Sequence, residues 1–352
     1  MSMVRKVWDL KSTDPEFDKL LFESLHREII EGMLPGYSSR IKEKKLKILQ
    51  LCAAGISAPA ITKELERLGH EVIKADSKPP TEDYVVVPSG KNPLTLMLRI
   101  EEIAAEYCCL TEPLIILPHN QDETQVLSET GGEGKDWKAW FAMVPSPISF
   151  YNTINKIRMT NALKRGGLPA QQVEECPRAE LFACDKDHFY KPVEGCGGNF
   201  AFSSEDIPSL FVKAGNLSGQ EYSFDVLCKN GVVLDWCVRK RIKAHGGICI
   251  DAEVLGKDER FKESLQKFAY IFALNGPYAI QCFRELTHRQ EIKEEIYFTD
   301  CNARFGGGVG LSIVAGWKGV ENWCRALQGE TIVDDYEIKQ IRVRRGYMEK
   351  MI

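Results

Sequence analysis

The sequence predicts a chain of two kinds of structure, α/β and then α+β: a unit on a parallel sheet followed by a unit on a largely antiparallel sheet. Three observations carry this expectation. From residue 47 short apolar strands alternate with amphipathic helices, which implies a parallel sheet covered on both faces. From about residue 220 the strands follow one another as hairpins with one helix among them, the order of an antiparallel α+β domain. Two glycine-rich stretches, at 189–202 and 296–308, interrupt strands that carry charged side chains.

At 352 residues the chain can bury a substantial core in two or three domains. Residues 12–34 read as an opening amphipathic helix. Ser12, Thr13 and Asp14 offer caps, Pro15 suits the first turn, and Leu20, Leu21, Leu25, Ile29 and Met33 recur at helical spacing before Pro35 and Gly36. An N-terminal helical extension over 1–43 is therefore expected. Residues 44–150 then run strand KILQLCAA, helix SAPAITKELERLG, strands EVIKAD and DYVVVP, helix PLTLMLRIEEIAAEYCC and strand PLIILP, a Rossmann-like domain. Its first turn, at 53–58, lacks the paired glycines that let a pyrophosphate approach the backbone, so a nicotinamide or flavin is not expected there.

The polar residues 121–138 read as a loop or short helix plus a linker. A helix over 152–165 is expected to end at Gly166-Gly167, with Pro169 following. Beyond it come strands EYSFDVLC, VVLDWCVRKRI and ICIDAEVL, the helix DERFKESLQKFAYIFAL, and strands YAIQCFREL and IYFTDCNARF.

The net charge of -4, with mixed signs, argues against a nucleic-acid or polyanion surface as the main partner. Twelve cysteines occur without metal-site or disulfide-framework spacing, the only close pair being Cys108 and Cys109, which suits a reducing, cytoplasmic setting. No signal-peptide core and no run of eighteen apolar residues appears, so a soluble chain with no membrane partner is expected.

Chemistry concentrates in the two glycine-rich stretches. Along IYFTDCNARFGGG, Asp300, Asn302 and Arg304 fall at every second position and project from one strand face. A carboxylate and an amide oxygen are hard ligands suited to Mg2+, and a guanidinium can fork onto a phosphate. A half-buried strand of ordinary polar alternation has the same pattern. In FYKPVEGCGGNFAF, Lys191 ends a short strand before Gly195, Gly197 and Gly198, whose backbone amides can approach an anion closely. A glycine-rich β-turn is the plainer reading. Neither the P-loop nor the dinucleotide fingerprint is present. Arg239 and Arg241, in VRKRIKAHGG, share one face by the period of two and either face the same cleft or form a solvated basic strand.

Taken in order, these motifs resemble the ATP-grasp superfamily over about residues 44–329, most nearly the branch of carbamoyl phosphate synthetase, biotin carboxylase and amino-acid ligases. The resemblance implies a Rossmann-like pre-ATP-grasp domain over 44–150, a small lobe with the glycine-rich loop over 151–218, and a large lobe with the metal site over 219–352. It makes Lys156, in TINKIRMTNALKRGGLP, and Lys191 the two ATP-phosphate lysines, and residues 195–199 the flexible loop. It makes Glu221 the acceptor for the ribose hydroxyls and Gln281, Asp300 and Asn302 the ligands of Mg2+ or Mn2+. Arg304 is implied to steady the transferring phosphate, Lys191 to assist, and Arg239 to reach the nucleotide.

Departures from the family pattern are specific. Relatives carry a Glu-Glu or Gln-Glu pair at the hinge beside adenine where this chain reads VKAGN over 212–216, so backbone groups near Lys213 are the expected adenine contacts. Gln281 replaces a more usual acid, and Asp300 stands where many relatives have glutamate. The glycines at 306–308 and Gly310, with Ser312, are expected beside the acyl phosphate, and His245 with Gly246 and Gly247 near the acceptor. The implied activity is an ATP-dependent carboxylate-amine ligase forming an amide or peptide bond through an acyl phosphate. Its substrates are a small carboxylate and an amine, one of them an amino acid, and the chain is implied to form a homodimer. A bicarbonate-activating enzyme and a nucleotide-binding regulatory protein without catalysis are the competing implications.

Overall fold

The computed structural model describes residues 45–107, 113–132, 140–177, 188–194, 210–215, 217–245, 248–287 and 293–346. The helix expected over 12–34 and the loop glycines Gly195, Gly197 and Gly198 lie outside these residues, as do Gly246 and Gly247.

The first sheet has five parallel strands: β1 (Lys47–Gln50), β2 (Glu71–Asp76), β3 (Val85–Val86), β4 (Leu114–Leu117) and β5 (Trp140–Phe141), in the order β3-β2-β1-β4-β5. Helices α1 (Ala58–Arg67), α2 (Pro93–Tyr107) and α3 (Gln121–Glu129) connect them. Period-two alternation sorts the strand side chains. Leu49, Leu114 and Ile116 join Ile100 and Ile103 of α2 on one face, while Ile48, Ile115 and Leu117 join Ile61 and Leu65 of α1 on the other. The polar stretch after β4 forms the helix α3, because the Asn120 side chain caps it by accepting from the Glu123 amide at 2.8 Å.

Residues 147–165 are two helices instead of the single one expected over 152–165: α4 (Pro147–Ile154) and α5 (Lys156–Arg165). Asn155 leaves the helical region (φ -85°, ψ 111°) and caps α5 by accepting from the Arg158 amide at 3.0 Å. A small antiparallel sheet follows, β6 (Val173–Pro177), β7 (His188–Pro192) and β8 (Leu210–Gly215), ordered β6-β8-β7.

The third sheet is antiparallel and six-stranded. It contains β9 (Gln220–Lys229), β10 (Val232–His245), β11 (Ile248–Gly256), β12 (Gly276–Thr287), β13 (Lys293–Asn302) and β14 (Ile341–Arg344), in the order β13-β12-β9-β10-β11-β14. Helices α6 (Lys262–Ile271), α7 (Val309–Val314) and α8 (Gly319–Gln328) pack around it. Strand β9 shows how this sheet makes a site. Tyr222, Phe224, Val226 and Cys228 enter a core with Phe261 and Phe268, while the alternate residues Glu221, Ser223 and Asp225 run polar until Leu227. Leu227 belongs to a second core that includes Trp317, Trp323 of α8, and Ile48 and Ile61 of the first sheet. One face of the large sheet therefore changes from apolar, where it holds the first sheet, to polar, where a cavity opens. Among the described residues no helix is long and apolar enough to cross a membrane.

Candidate active site

The cavity, about 600 Å³, lies where all three sheets approach one another. The helix break at Asn155 sets its first corner. The Asn155 amide group donates to Glu194 at 2.8 Å, and the backbone N–H of Lys156 donates to the Val193 carbonyl at 3.0 Å, so the start of α5 is fastened to the chain leaving β7. Lys156 and Lys191, thirty-five positions apart, are thereby brought to one place. Their ammonium groups stand 3.7 and 3.3 Å from the two carboxylate oxygens of Asp300, and both lysines are buried, at 3% and 8% exposure. Two buried cations thus meet one carboxylate at the cavity wall.

Asp300 reaches that position through an irregularity in β13. Gln281 of β12 pairs with Asp300, but the next residue, Cys282, pairs with Phe298, so Thr299 is an inserted bulge residue. Without the insertion Phe298 and Asp300 would share a face. With it Phe298 joins the core, Asp300 and Asn302 line the cavity, and Cys301 and Ala303 return to the core. The Thr299 carbonyl accepts a hydrogen bond from Lys191 at 2.9 Å. Arg304 lies just past the strand, where the chain bends, and also lines the cavity.

Gln281, Asp300 and Asn302 form one wall on paired strands, with Gln281 opposite Asp300 and Ala279 opposite Asn302. Among the described residues no three His, Cys, Asp or Glu side chains gather into a cluster. One carboxylate with two amide oxygens is a hard, sparse donor set, which fits Mg2+ that keeps waters and completes its shell with phosphates.

Glu221 lines the cavity and pairs with Arg241; its carboxyl is raised from the ordinary value chiefly by burial, against the pull of Arg241. Arg239 is fully buried and paired with Asp225, and Ser312 links the two: Arg239 donates to the Ser312 hydroxyl at 2.6 Å, which donates to Asp225 at 2.6 Å. Burial lowers the Arg239 guanidinium from its ordinary value. Ser312 is thus a buried link behind the wall, while the turn at 306–308 lines the cavity itself. Gly306 has no room for a side chain there, since a Cβ would lie 2.7 Å from that of Ala279.

At the hinge Gly215 and Leu217 line the cavity and Lys213 is not among its lining residues. The Gln171 side chain donates to the Gly215 carbonyl at 2.6 Å. Sequence reasoning missed Ser223, Asp225, Gln171 and His119, all close to or lining the cavity. For Ser223 and Asp225 a signal existed, the run of polar residues at alternate positions of an otherwise apolar strand.

Residues 208–348 match a family model described as "ATP-grasp in the biosynthetic pathway with Ter operon". Among solved structures, the L-amino acid ligase from Bacillus licheniformis superposes with a TM-score of 0.59 at 16% identity, over 82% of this chain and 75% of that one. The ADP complex of PurK gives a TM-score of 0.62 at 14% identity, over 86% and 82% of the two chains. The chain has the ATP-grasp fold. A carboxyaminoimidazole ribonucleotide synthase from Aspergillus clavatus, complexed with ATP, shares this fold with a TM-score of 0.57 at 15% identity, over 82% and 78%. No curated protein matches the sequence. The expected order of an ATP-grasp chain is therefore present here: a parallel sheet, a small antiparallel sheet and a large antiparallel sheet around one cavity.

Proposed function

We propose that the protein is an ATP-dependent carboxylate-amine ligase that releases ADP and makes an amide or peptide bond through an acyl phosphate. The observation that carries this reading is the meeting of Lys156 and Lys191 on Asp300, beside Gln281, Asn302 and Arg304, in a cavity of the ATP-grasp fold. Five cationic side chains line that cavity, these two lysines with Arg239, Arg241 and Arg304, against the carboxylates of Glu221 and Asp300 and the buried Asp225 that pairs with Arg239. Such an imbalance suits a polyphosphate.

In this reading a substrate carboxylate oxygen attacks the γ-phosphorus of ATP, the bond to the β-phosphate oxygen breaks, and ADP leaves. The amine nitrogen then attacks the acyl carbon, loses a proton, and the carbon–oxygen bond to phosphate breaks. Phosphoryl transfer of this kind needs positioning and charge neutralisation more than a protein nucleophile. Lys156 and Lys191 offset charge along the phosphates, and Arg304 steadies the transferring group. Gln281, Asp300 and Asn302 would hold Mg2+ or Mn2+, which would supply positive charge against that of the phosphates. Glu221 faces the ribose hydroxyls, and the backbone at Gly215 and Leu217 takes the adenine edge in place of the Lys213 region. The same reading assigns Gly195, Gly197 and Gly198, which lie outside the described residues, to the contacts with the phosphates. The domain limits 44–150, 151–218 and 219–352, a homodimer and a cytoplasmic setting belong to the same reading. The eight described cysteines, all free, support a reducing compartment.

The test is to incubate the protein with MgATP and pools of amino acids or other carboxylates, with and without bicarbonate, while following ADP, phosphate and product mass. ADP release that requires both a carboxylate and an amine, with a product lighter than their sum by one water, supports the ligase. Bicarbonate-dependent release favours the second reading, a carboxylase, which the shared fold with carboxyaminoimidazole ribonucleotide synthases supports. Nucleotide binding without turnover in any pool overturns both.

A further inference from the structure

Of the helices α1, α2 and α3 on the parallel sheet, α2 alone turns leucines to the outside. Leu96, Ile100, Ile103 and Ala104 bury one side of it against the sheet. On the opposite side, at helical spacing, Leu94, Leu98 and Ala105 form an exposed stripe, Leu94 at 72% exposure and Leu98 at 50%. Helix α1 in contrast exposes Pro59, Lys63, Glu66 and Arg67. The edge strand β3 ends beside α2: Val86 is 60% exposed, and its carbonyl accepts from Arg99 of α2 at 3.4 Å.

This face is turned away from the large sheet. The core under α2 draws only on residues 49–144, whereas the core under α1 also takes in Leu227, Trp317 and Trp323. Helix α2 is thus an outer layer of the molecule, and none of the residues lining the cavity belongs to it. A single exposed leucine is ordinary on a protein surface. Two of them one turn apart, with a small alanine two turns further on, make a continuous apolar strip of the kind that marks a contact.

The charges around the strip say what covers it. Lys91 precedes the helix and Arg99 lies at its middle, while Glu101, Glu102 and Glu106 occupy its second half; no acid falls in the first turn and no base in the last. The helix dipole favours the reverse order, and only Lys47 offsets the carboxyl end, from the sheet, by donating to the Tyr107 carbonyl at 3.0 Å. Trp140 donates to Glu101 at 3.0 Å and Arg99 to Glu102 at 2.9 Å. Among the described residues no ion pair joins Lys91 or Glu106. A second copy set antiparallel across a two-fold axis near Leu98 completes this order. Leu98 then meets its own equivalent, Leu94 comes over the small Ala105, and Lys91 comes beside Glu106, each contact occurring twice. The two helix dipoles also run head to tail. A foreign helix would have to reproduce this charge order, which the chain's own copy supplies by symmetry.

We propose that the outer face of α2 is a homodimer interface, in which two copies pair their α2 helices antiparallel about a two-fold axis. Leu94, Leu98 and Ala105 form its centre and the Lys91–Glu106 pairs its rim. A helix of fifteen residues is about 22 Å long, so one helix pair, with Val86 beside it, buries less than the roughly 1,600 Å² of a standard interface. The dimer is accordingly weak, with dissociation on the order of micromolar, and its rim pairs make it salt-sensitive. The proposal gives the homodimer a surface and rests on no step of the ligase reading.

The test is sedimentation equilibrium of the full chain over a concentration series, without nucleotide. The wild type is expected to pass from monomer to dimer. Leu98→Glu sets two carboxylates against each other at the axis and is expected to weaken the dimer about a hundredfold or more, with the melting temperature of the monomer unchanged because Leu98 is exposed. Lys91→Glu and Glu106→Lys each turn two attractions into two repulsions, and each is expected to weaken the dimer about tenfold. Mixed in equal amounts, these two variants are expected to form a heterodimer as tight as the wild-type dimer, since every rim contact then joins opposite charges. A monomer at every concentration, a dimer indifferent to Leu98→Glu, or a mixture no tighter than its components would overturn the proposal. So would a monomer whose melting temperature falls in Leu98→Glu, which would show that another part of the same chain covers the face. With no nucleotide present, failure of the ligase reading changes none of these outcomes, and turnover of MgATP by a chain that stays monomeric would fail the interface alone.

Discussion

Lys191 donates to the carbonyl of Thr299 at 2.9 Å, and Thr299 is the residue that the bulge inserts into β13. The small sheet is thus fastened to the large one at the point where β13 changes the face its side chains present. From there Lys191 also reaches Asp300, which serves Lys156 as well.

Asp300→Asn removes the one carboxylate that two buried ammonium groups share. Turnover is expected to fall by about a hundredfold or more, as for loss of a group that stabilises charge in the transition state. The ligand-free protein is expected to lose roughly 1–3 kcal/mol, because Asp300 remains partly exposed. ATP without metal supplies the missing negative charge, so it is expected to raise the melting temperature of the variant more than that of the wild type. Equal shifts in differential scanning fluorimetry would count against the convergence of both lysines on the phosphates.

Asp225 and Arg239 are a fully buried ion pair linked by Ser312. Asp225→Ala strands the guanidinium in the interior and is expected to cost about 3–5 kcal/mol in urea unfolding. The double variant Asp225→Leu, Arg239→Met removes both charges and is expected to recover most of that loss. A double variant as unstable as the single one would show that packing, not the stranded charge, sets the cost.

Glu123 and His119 give the stability opposite slopes with pH. Burial raises the Glu123 carboxyl to about 7, so the native state holds a proton that the unfolded chain releases, and this stabilisation is lost as pH rises from about 4.5 through 7. Burial lowers His119 to about 3, so its contribution is lost as pH falls from about 6.5 through 3. The two largely cancel between about 4.5 and 6.5. Glu123→Gln is therefore expected to be more stable than wild type above pH 7, by about 3 kcal/mol at most, and to leave a steep loss in acid. His119→Asn is expected to expose the opposite slope, with stability falling from pH 4.5 to 7. Parallel pH profiles of the two variants in chemical denaturation would refute this assignment.

How far the sequence discloses this architecture depends on whether a feature is periodic. The parallel sheet and the hairpins of the large sheet follow from alternation along strands such as β9, where Phe224 and Val226 face one way and Ser223 and Asp225 the other. Lys191, Asp300, Asn302 and Arg304 are legible because glycines flank strands that carry charge at alternate positions. The bulge at Thr299 is not, because an inserted residue is set by pairing with β12 and leaves no local mark. Asn155 did carry a mark, a capping residue before Lys156, yet the helical spacing around it reads as one continuous helix. His119 carried none: it is held beside the cavity by Gln50, sixty-nine positions away.

Arg345 follows the edge strand β14 and donates to the Gly307 carbonyl at 2.7 Å, so the end of the described chain holds the glycine turn of the cavity from behind. Strand β14 is itself held by Asp251, whose carboxylate receives both Arg342 and Arg344 at 2.6–2.9 Å and is kept well below the usual carboxylate range by them. Arg345→Ala removes the contact to the turn without touching that clamp. Because Gly307 has no side chain to fix its position, the loss is expected to fall on turnover, about tenfold, with little change in melting temperature. Asp251→Asn is expected to do the reverse first, loosening β14 and speeding amide exchange along β11 before activity falls. Hydrogen-exchange mass spectrometry on the two variants separates these effects, and equal protection of β11 in both would remove Asp251 as the anchor of this strand.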